Sequence, residues 1–134
     1  MRSIGHVSGL VLCCALVAPA HAEEPCGLRV AQLLASGQTD ALAAMFNQPA
    51  EVAPMLSALV AQVGPLSALQ PVAAPRFKDH RRLSVVPSAV QPSGPYTGHW
   101  VNGTSAQWGE VQVHIATQPA AACRVLAIHV DSAA

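Results

Sequence analysis

The chain has 134 residues, half of them apolar, with seven basic and seven acidic side chains. A balance this close to neutral excludes the clustered positive charge that phosphate backbones demand, so nucleic acid is not an expected partner. The length fits one domain.

Chain order starts with a leader. Arg2 supplies a positive start, Val7 to Val17 form an uncharged apolar run, and Pro19 breaks it before Ala20-His21-Ala22. This is the pattern of a secretory signal cut after Ala22. The run is shorter than the roughly 20 residues a spanning helix needs, so no membrane span is expected in the mature chain. Cys13 and Cys14 lie inside the run and leave with it; neither follows the small residue that lipid attachment would want. The expected mature domain is Glu23 to Ala134, with six basic against seven acidic residues once Arg2 has gone. Its cysteines are Cys26 and Cys123 alone, an even count that in an exported chain argues a disulfide. The Ala-, Val-, Leu- and Pro-rich composition with its single Lys78 fits a bacterial periplasmic or secreted protein.

The front of the mature chain reads as helical. Val30, Leu33 and Leu34 recur at helical spacing before Gly37, and Thr39 or Asp40 can cap a short second helix carrying Leu42, Met45 and Phe46. Pro49 opens a third helix. Its stripe of Val52, Met55, Leu56, Leu59, Val60 and Val63 is continuous, and Gly64-Pro65 ends it. The period then changes. Leu66 to Pro75 reads as an edge strand or connector, since Pro71 forbids a central strand, and a short strand is expected around Leu83 to Val86. Val111, Val113 and Ile115 alternate with polar neighbours as a half-buried strand. In the last strand Leu126, Ile128 and Val130 are expected on one face and Val125, Ala127 and His129 on the other. The expected fold class is α+β: N-terminal helices packed on a curved antiparallel sheet formed by the C-terminal half.

"LLASGQTDALAAMF", "MLSALVAQVGPLSAL" and "CRVLAIHV" carry a resemblance over most of Cys26 to Val130. The chain resembles small exported bacterial domains of the nuclear-transport-factor-two-like and cystatin-like group of cone-shaped α+β folds. The resemblance implies a fold and a pocket. It implies no reaction, because no catalytic carboxylate or histidine of the family's enzymes aligns with this chain.

Two stretches stand out as candidate binding surfaces. "PRFKDHRRL" gathers Arg76, Lys78, Arg81 and Arg82, a loop that could grip an anion or an acidic partner, or simply be a solvated connection. "YTGHWVNGTSAQWG" places Tyr96, Trp100 and Trp108 beside a turn, expected at Asn102-Gly103 or as a longer loop over Asn102 to Gln107 that would bring Trp100 near Trp108. One tryptophan is expected in the core and one on the surface.

Catalytic and metal signatures are not found. No serine sits in a Gly-x-Ser-x-Gly elbow, no two carboxylates can be brought to one pocket, and no Cys-x-x-Cys or His-x-x-x-His spacing occurs. No cofactor is expected. His114 and His129 lie on strands expected to be neighbours and would form a pair only if their faces agree. The sequence therefore argues a non-enzymatic binding domain for a protein or small-molecule ligand, using the aromatic hairpin or the cone interior. The alternative is a pocket enzyme of the same fold, hydrolase or isomerase in type, with a strand histidine as base. A homodimer packed back to back through the sheet, over Val125 and Ala127, is a third expectation.

The processing and pairing expectations are read by one measurement. Intact mass of the protein purified from an exporting host should begin at Glu23 and lie two hydrogens below the mass found after reduction. A mass beginning at Met1, or uptake of alkylating reagent by Cys26 and Cys123 without reductant, would contradict it.

Overall fold

The computed structural model describes residues 25–133 apart from Asp79 and Pro92, so the expected leader lies outside the described residues. Three helices come first: α1 (Cys26–Ala35), α2 (Thr39–Ala43) and α3 (Pro49–Val63). Five strands follow: β1 (Leu66–Val72), β2 (His80–Val85), β3 (Thr97–Ser105), β4 (Gly109–Thr117) and β5 (Val125–Ala133). They form one open antiparallel sheet in the order β1-β3-β4-β5-β2. This is the α+β architecture that the period change at Leu66 predicts. None of the described helices is long and apolar enough to cross a membrane.

The helices end where their punctuation says. After α1, Gly37 takes φ +70°, its N–H bonds the Leu34 carbonyl and the Gln38 N–H bonds that of Leu33. These two bonds satisfy carbonyls that a helix end otherwise leaves open, and the left-handed residue they require is a glycine. No side chain caps α2; Gln38 holds the cap position and Thr39 is already helical. The α3 stripe buries Val52, Leu56, Leu59 and Val63 as expected.

One sheet face meets the helices. Val101, Val111, Val113, Ile115, Ile128, Val130 and Val85 close the core with Val30, Leu34, Leu42, Phe46 and Leu56. Cys26, at the start of α1, is bonded to Cys123, in the loop between β4 and β5, across a Cα–Cα distance of 5.6 Å. Just after that loop Val125 forms a parallel bridge with Phe46 and donates its N–H to the Met45 carbonyl.

The turn expected at Asn102-Gly103 is not there. Both residues lie inside β3, paired with Gln112 and Val111, and the chain reverses later, over Ala106 to Trp108. There the Ser105 hydroxyl accepts the N–H groups of Gln107 and Trp108 and donates to the Val63 carbonyl, while Gly109 takes φ +75°. A three-residue loop closed by a left-handed glycine is a common hairpin connection.

The phase of β5 also shifts. The register slips between Ala116 and Thr117, so Thr117 pairs with Val125 while Ala116 pairs with Ala127. Val125 therefore enters the helix-side core, and Leu126 joins Ala127 on the other face. An extra residue in one strand reverses the side-chain alternation beyond it.

β1 and β2 occupy opposite edges, so the chain between them must cross the sheet. Four strand spacings of about 4.8 Å amount to roughly 19 Å, which the eight Cα steps from Val72 to His80 span at about 3.3 Å each with modest slack. The crossing runs over the face away from the helices, and Gln112 of β4 holds it there. The Gln112 amide donates to the Ala74 carbonyl and to Asn102 Oδ1, at 3.1 and 2.9 Å, and accepts the Arg76 N–H at 3.0 Å. Gln112 is 1 % exposed, although strand alternation alone predicts a solvated side chain.

Replacing Gln112 by Leu strands three polar groups and should cost about 1–3 kcal/mol. Chemical denaturation would measure the loss. Hydrogen exchange should accelerate at residues 73–77 while the amides of β4 and β5 stay protected; unchanged exchange in that segment would contradict the role given to the amide.

Candidate functional site

The face away from the helices carries Trp100 and Asn102 from β3, Gln112, His114 and Ala116 from β4, Ala127, His129 and Asp131 from β5, and Arg82 and Ser84 from β2. Half of it lies under the strap just described. The other half is the floor of a cavity of about 810 Å³. Arg82, His114, Ala116, Ala127, Leu126 and His129 form the floor. The β2–β3 connector supplies a wall through Val86, Val90, Pro95 and Tyr96, and the loops at Asn47-Gln48 and Gln118-Pro119 close the ends. Among the described residues, the large apolar side chains classed as exposed are Val86 and Tyr96, both on this cavity. A ligand cavity of this size, mainly apolar with a few convergent polar groups, is the usual form of a small-molecule site.

Register decides the histidine question. His114 and His129 are direct cross-strand partners, so both rings rise from the same face, 5.4 Å apart between centroids. Trp100, the partner of His114 on its other side, stacks on it at 5.0 Å with the planes 6° apart. That stacking needs Gly98, where a Cβ would come within 2.9 Å of the indole. The His129 Nδ1 and Ser84 Oγ lie 2.7 Å apart. Among the described residues, buried His114 Nε2 has no hydrogen-bond partner, which leaves that nitrogen better suited to be the unprotonated one.

Charge on this floor is paired. Arg82 meets Asp131 with two bonds, Nε to Oδ1 at 2.6 Å and NH2 to Oδ2 at 2.9 Å. The Asp131 side chain is 7 % exposed. Burial, then the nearby Arg82 charge, pushes the His114 ring below its ordinary pKa, and the same causes with His114 itself bring His129 down to about 4. Both imidazoles are neutral near pH 7.

The residues singled out in the sequence do not form one surface. Tyr96 and Arg82 line the cavity. Trp100 lies on the same sheet face but borders a smaller recess of about 170 Å³ beside α1. Trp108 sits at the β3–β4 turn against the helix-side core, with the Arg81 guanidinium 3.8 Å above its ring. Arg81 and Arg82 are neighbours in β2 and so point to opposite faces. Arg76 belongs to the strap and pairs with Glu110 at 2.5 Å, and exposed Lys78 lies further along the same crossing. The basic stretch is thus dispersed over separate partners. The face a back-to-back dimer would use is crossed by the strap, and Val125, expected on it, lies in the core.

His114, His129, Ser84 and Asp131 are the site residues that spacing alone leaves unassigned. Among the described residues no group of three or more metal-binding side chains comes together. No protein-family model matches the chain, and neither does any curated protein or solved structure.

The lowered histidines couple folding to pH. An unfolded chain protonates His129 near 6.5, whereas the folded chain resists until about 4. The stability contributed by neutral His129 is therefore full above pH 6.5 and falls as the pH drops from there toward 4. Denaturation midpoints across that window should show the decline, with a shallower slope in His129→Gln; an equal slope in the variant would assign the acid sensitivity elsewhere.

Proposed function

We propose that this chain is an exported, non-enzymatic domain that holds a small-molecule ligand in the cavity over β4 and β5. The observation that carries the reading is the cavity itself: apolar walls, the exposed Tyr96 and Val86 at its side, and a floor of neutral imidazoles beside a closed ion pair. Burial of apolar ligand surface supplies the attraction, and the His129 edge with the amides of Gln48, Gln91 and Gln118 supplies orientation. Export rests on the leader pattern of residues 1–22 and is supported by the Cys26–Cys123 bond, which an oxidising compartment would maintain. The architecture is compatible with the cone-shaped group that the sequence resembles, whose pocket this cavity would be.

One contact favours a second reading. Ser84 Oγ and His129 Nδ1 are within hydrogen-bond distance, the arrangement a histidine-activated nucleophile needs. Among the described residues no third group of such a set stands behind His129, since Asp131 is committed to Arg82. A ring with a pKa of about 4 is also a weak base at neutral pH. Binding is the better-supported use of this geometry.

Titration of a mixture of small aromatic fragments, followed by backbone NMR, should shift resonances of His114, Ala116, Ala127 and Leu126 and leave Trp108 still. Filling the floor with Ala127→Trp should remove those shifts while the fold persists. Hydrolysis of p-nitrophenyl esters should not depend on Ser84; a rate lost in Ser84→Ala would move the assignment to the enzyme.

A further inference from the structure

The reading above leaves the ligand's chemistry open, and the ionic arrangement of the cavity narrows it. Of the described residues that line it, Arg82 alone carries a full charge at neutral pH. That charge is balanced by its neighbour. Two of the five Arg82 N–H donors are taken by Asp131, at 2.6 and 2.9 Å, and that carboxylate, almost fully buried, offsets the charge.

An anionic ligand meeting the three remaining donors would approach a cation whose charge Asp131 already offsets, and to gain the full charge it would have to draw the guanidinium away. The carboxylate would then be left buried without its counter-charge, and the loss of one partner of such a pair is the costly direction. A cationic ligand fares no better. The acceptor it would seek is already doubly bonded, and Arg82 beside it repels. Neither His114, stacked on Trp100, nor His129, against Ser84, offers a compensating charge, since burial and the nearby Arg82 charge lower both rings below the ordinary imidazole pKa. What remains is apolar wall, the face of Tyr96, and hydrogen-bonding edges without net charge.

We propose that the cavity selects an uncharged, largely apolar ligand, because its one cation is closed on the buried Asp131 and every other lining group is neutral. This rests on the reading of the cavity as a small-molecule site. It also specifies a switch of preference: freeing Arg82 without changing the cavity's volume should admit anions. Asp131→Asn does that, keeping the shape of the side chain while removing its charge.

The test uses two dyes that share one ring system, N-phenyl-1-naphthylamine, which is neutral, and 8-anilino-1-naphthalenesulfonate, which is anionic. Fluorescence titration of the oxidised mature protein at pH 7.5 should give the neutral dye an affinity about tenfold or more above the anionic one. Ala127→Trp should abolish the neutral dye's binding. In Asp131→Asn the affinity of the anionic dye should rise about tenfold relative to that of the neutral dye. 1-Naphthalenemethanol should displace the bound neutral dye more effectively than 1-naphthylmethylammonium.

Equal or tighter binding of the anionic dye to the unaltered protein would overturn the selection for uncharged ligands and leave the cavity as a binding site. More effective displacement by the ammonium competitor would do the same. Binding of neither dye, or neutral-dye binding indifferent to Ala127→Trp, would remove the small-molecule reading together with the inference built on it.

Discussion

The buried amide of Gln112 decides what the open face of this sheet becomes. With β1 and β2 at opposite edges, the connector between them has to cross β3, β4 and β5, and a backbone laid over a sheet brings polar groups that need partners. One side chain meets that need: Gln112 bonds the strap at Ala74 and Arg76 and ties itself to Asn102 on β3. The Arg76–Glu110 pair nearby is exposed on both sides and adds little by comparison. Because the strap is pinned over one half of the face, the other half stays uncovered for the β2–β3 connector to wall in. The cavity is a consequence of topology before it is a consequence of any residue that lines it.

What lines it is then governed by cross-strand pairing. The row Trp100, His114, His129, Ser84 runs straight across β3, β4, β5 and β2, each residue the register partner of the next. A row of this kind holds its members by contact: indole on imidazole, imidazole beside imidazole, imidazole against hydroxyl. One step along the strands a second row pairs Gln112, Asp131 and Arg82. Neutral rings and a closed ion pair thus lie side by side, and the positive guanidinium helps keep the rings uncharged. The electrostatics of the floor follow from two adjacent registers.

Much of the fold is legible in the residues, and the parts that are not have identifiable causes. The stripe from Val52 to Val63, the Gly37 stop and Pro71 at an edge all act locally, so their meaning survives without knowledge of neighbours. Asn102-Gly103 misleads because its turn preference is outweighed by nine residues of pairing in β3, while the actual turn is made by Ser105 and Gly109, a weaker sequence signal. Gln112 reads as solvated because nothing local reveals a strap arriving from 36 residues earlier in the chain. The site itself is the least legible. His114 and His129 become one feature only through the register of β4 on β5, and a one-residue slip beyond Thr117 is enough to place Val125 in the core and Leu126 on the floor. The charge run near Arg81 and Arg82 is divided by the same alternation, one residue to each face.

The Cys26–Cys123 bond ties the shape of this site to redox conditions. It closes a loop of nearly the whole domain, 97 residues in sequence separation, for which restricting the unfolded chain contributes on the order of 4–5 kcal/mol. Its position matters as well as its length. Cys123 lies in the β4–β5 loop, where Ala120 and Cys123 itself take positive φ, and the same loop supplies Gln118 and Pro119 to the cavity wall. Immediately beyond it Arg124 reaches the carbonyls of Ala44 and Phe46, and Val125 bonds Met45, so the loop also anchors the segment that carries Asn47 and Gln48 to the cavity's end. Two walls of the cavity are thereby fastened through one covalent link to the start of α1. While the link holds, those walls are set in advance, and less free energy is needed to order them. With the link reduced, the β4–β5 loop keeps only its hydrogen bonds, and the shape of the cavity depends on contacts that are individually weak.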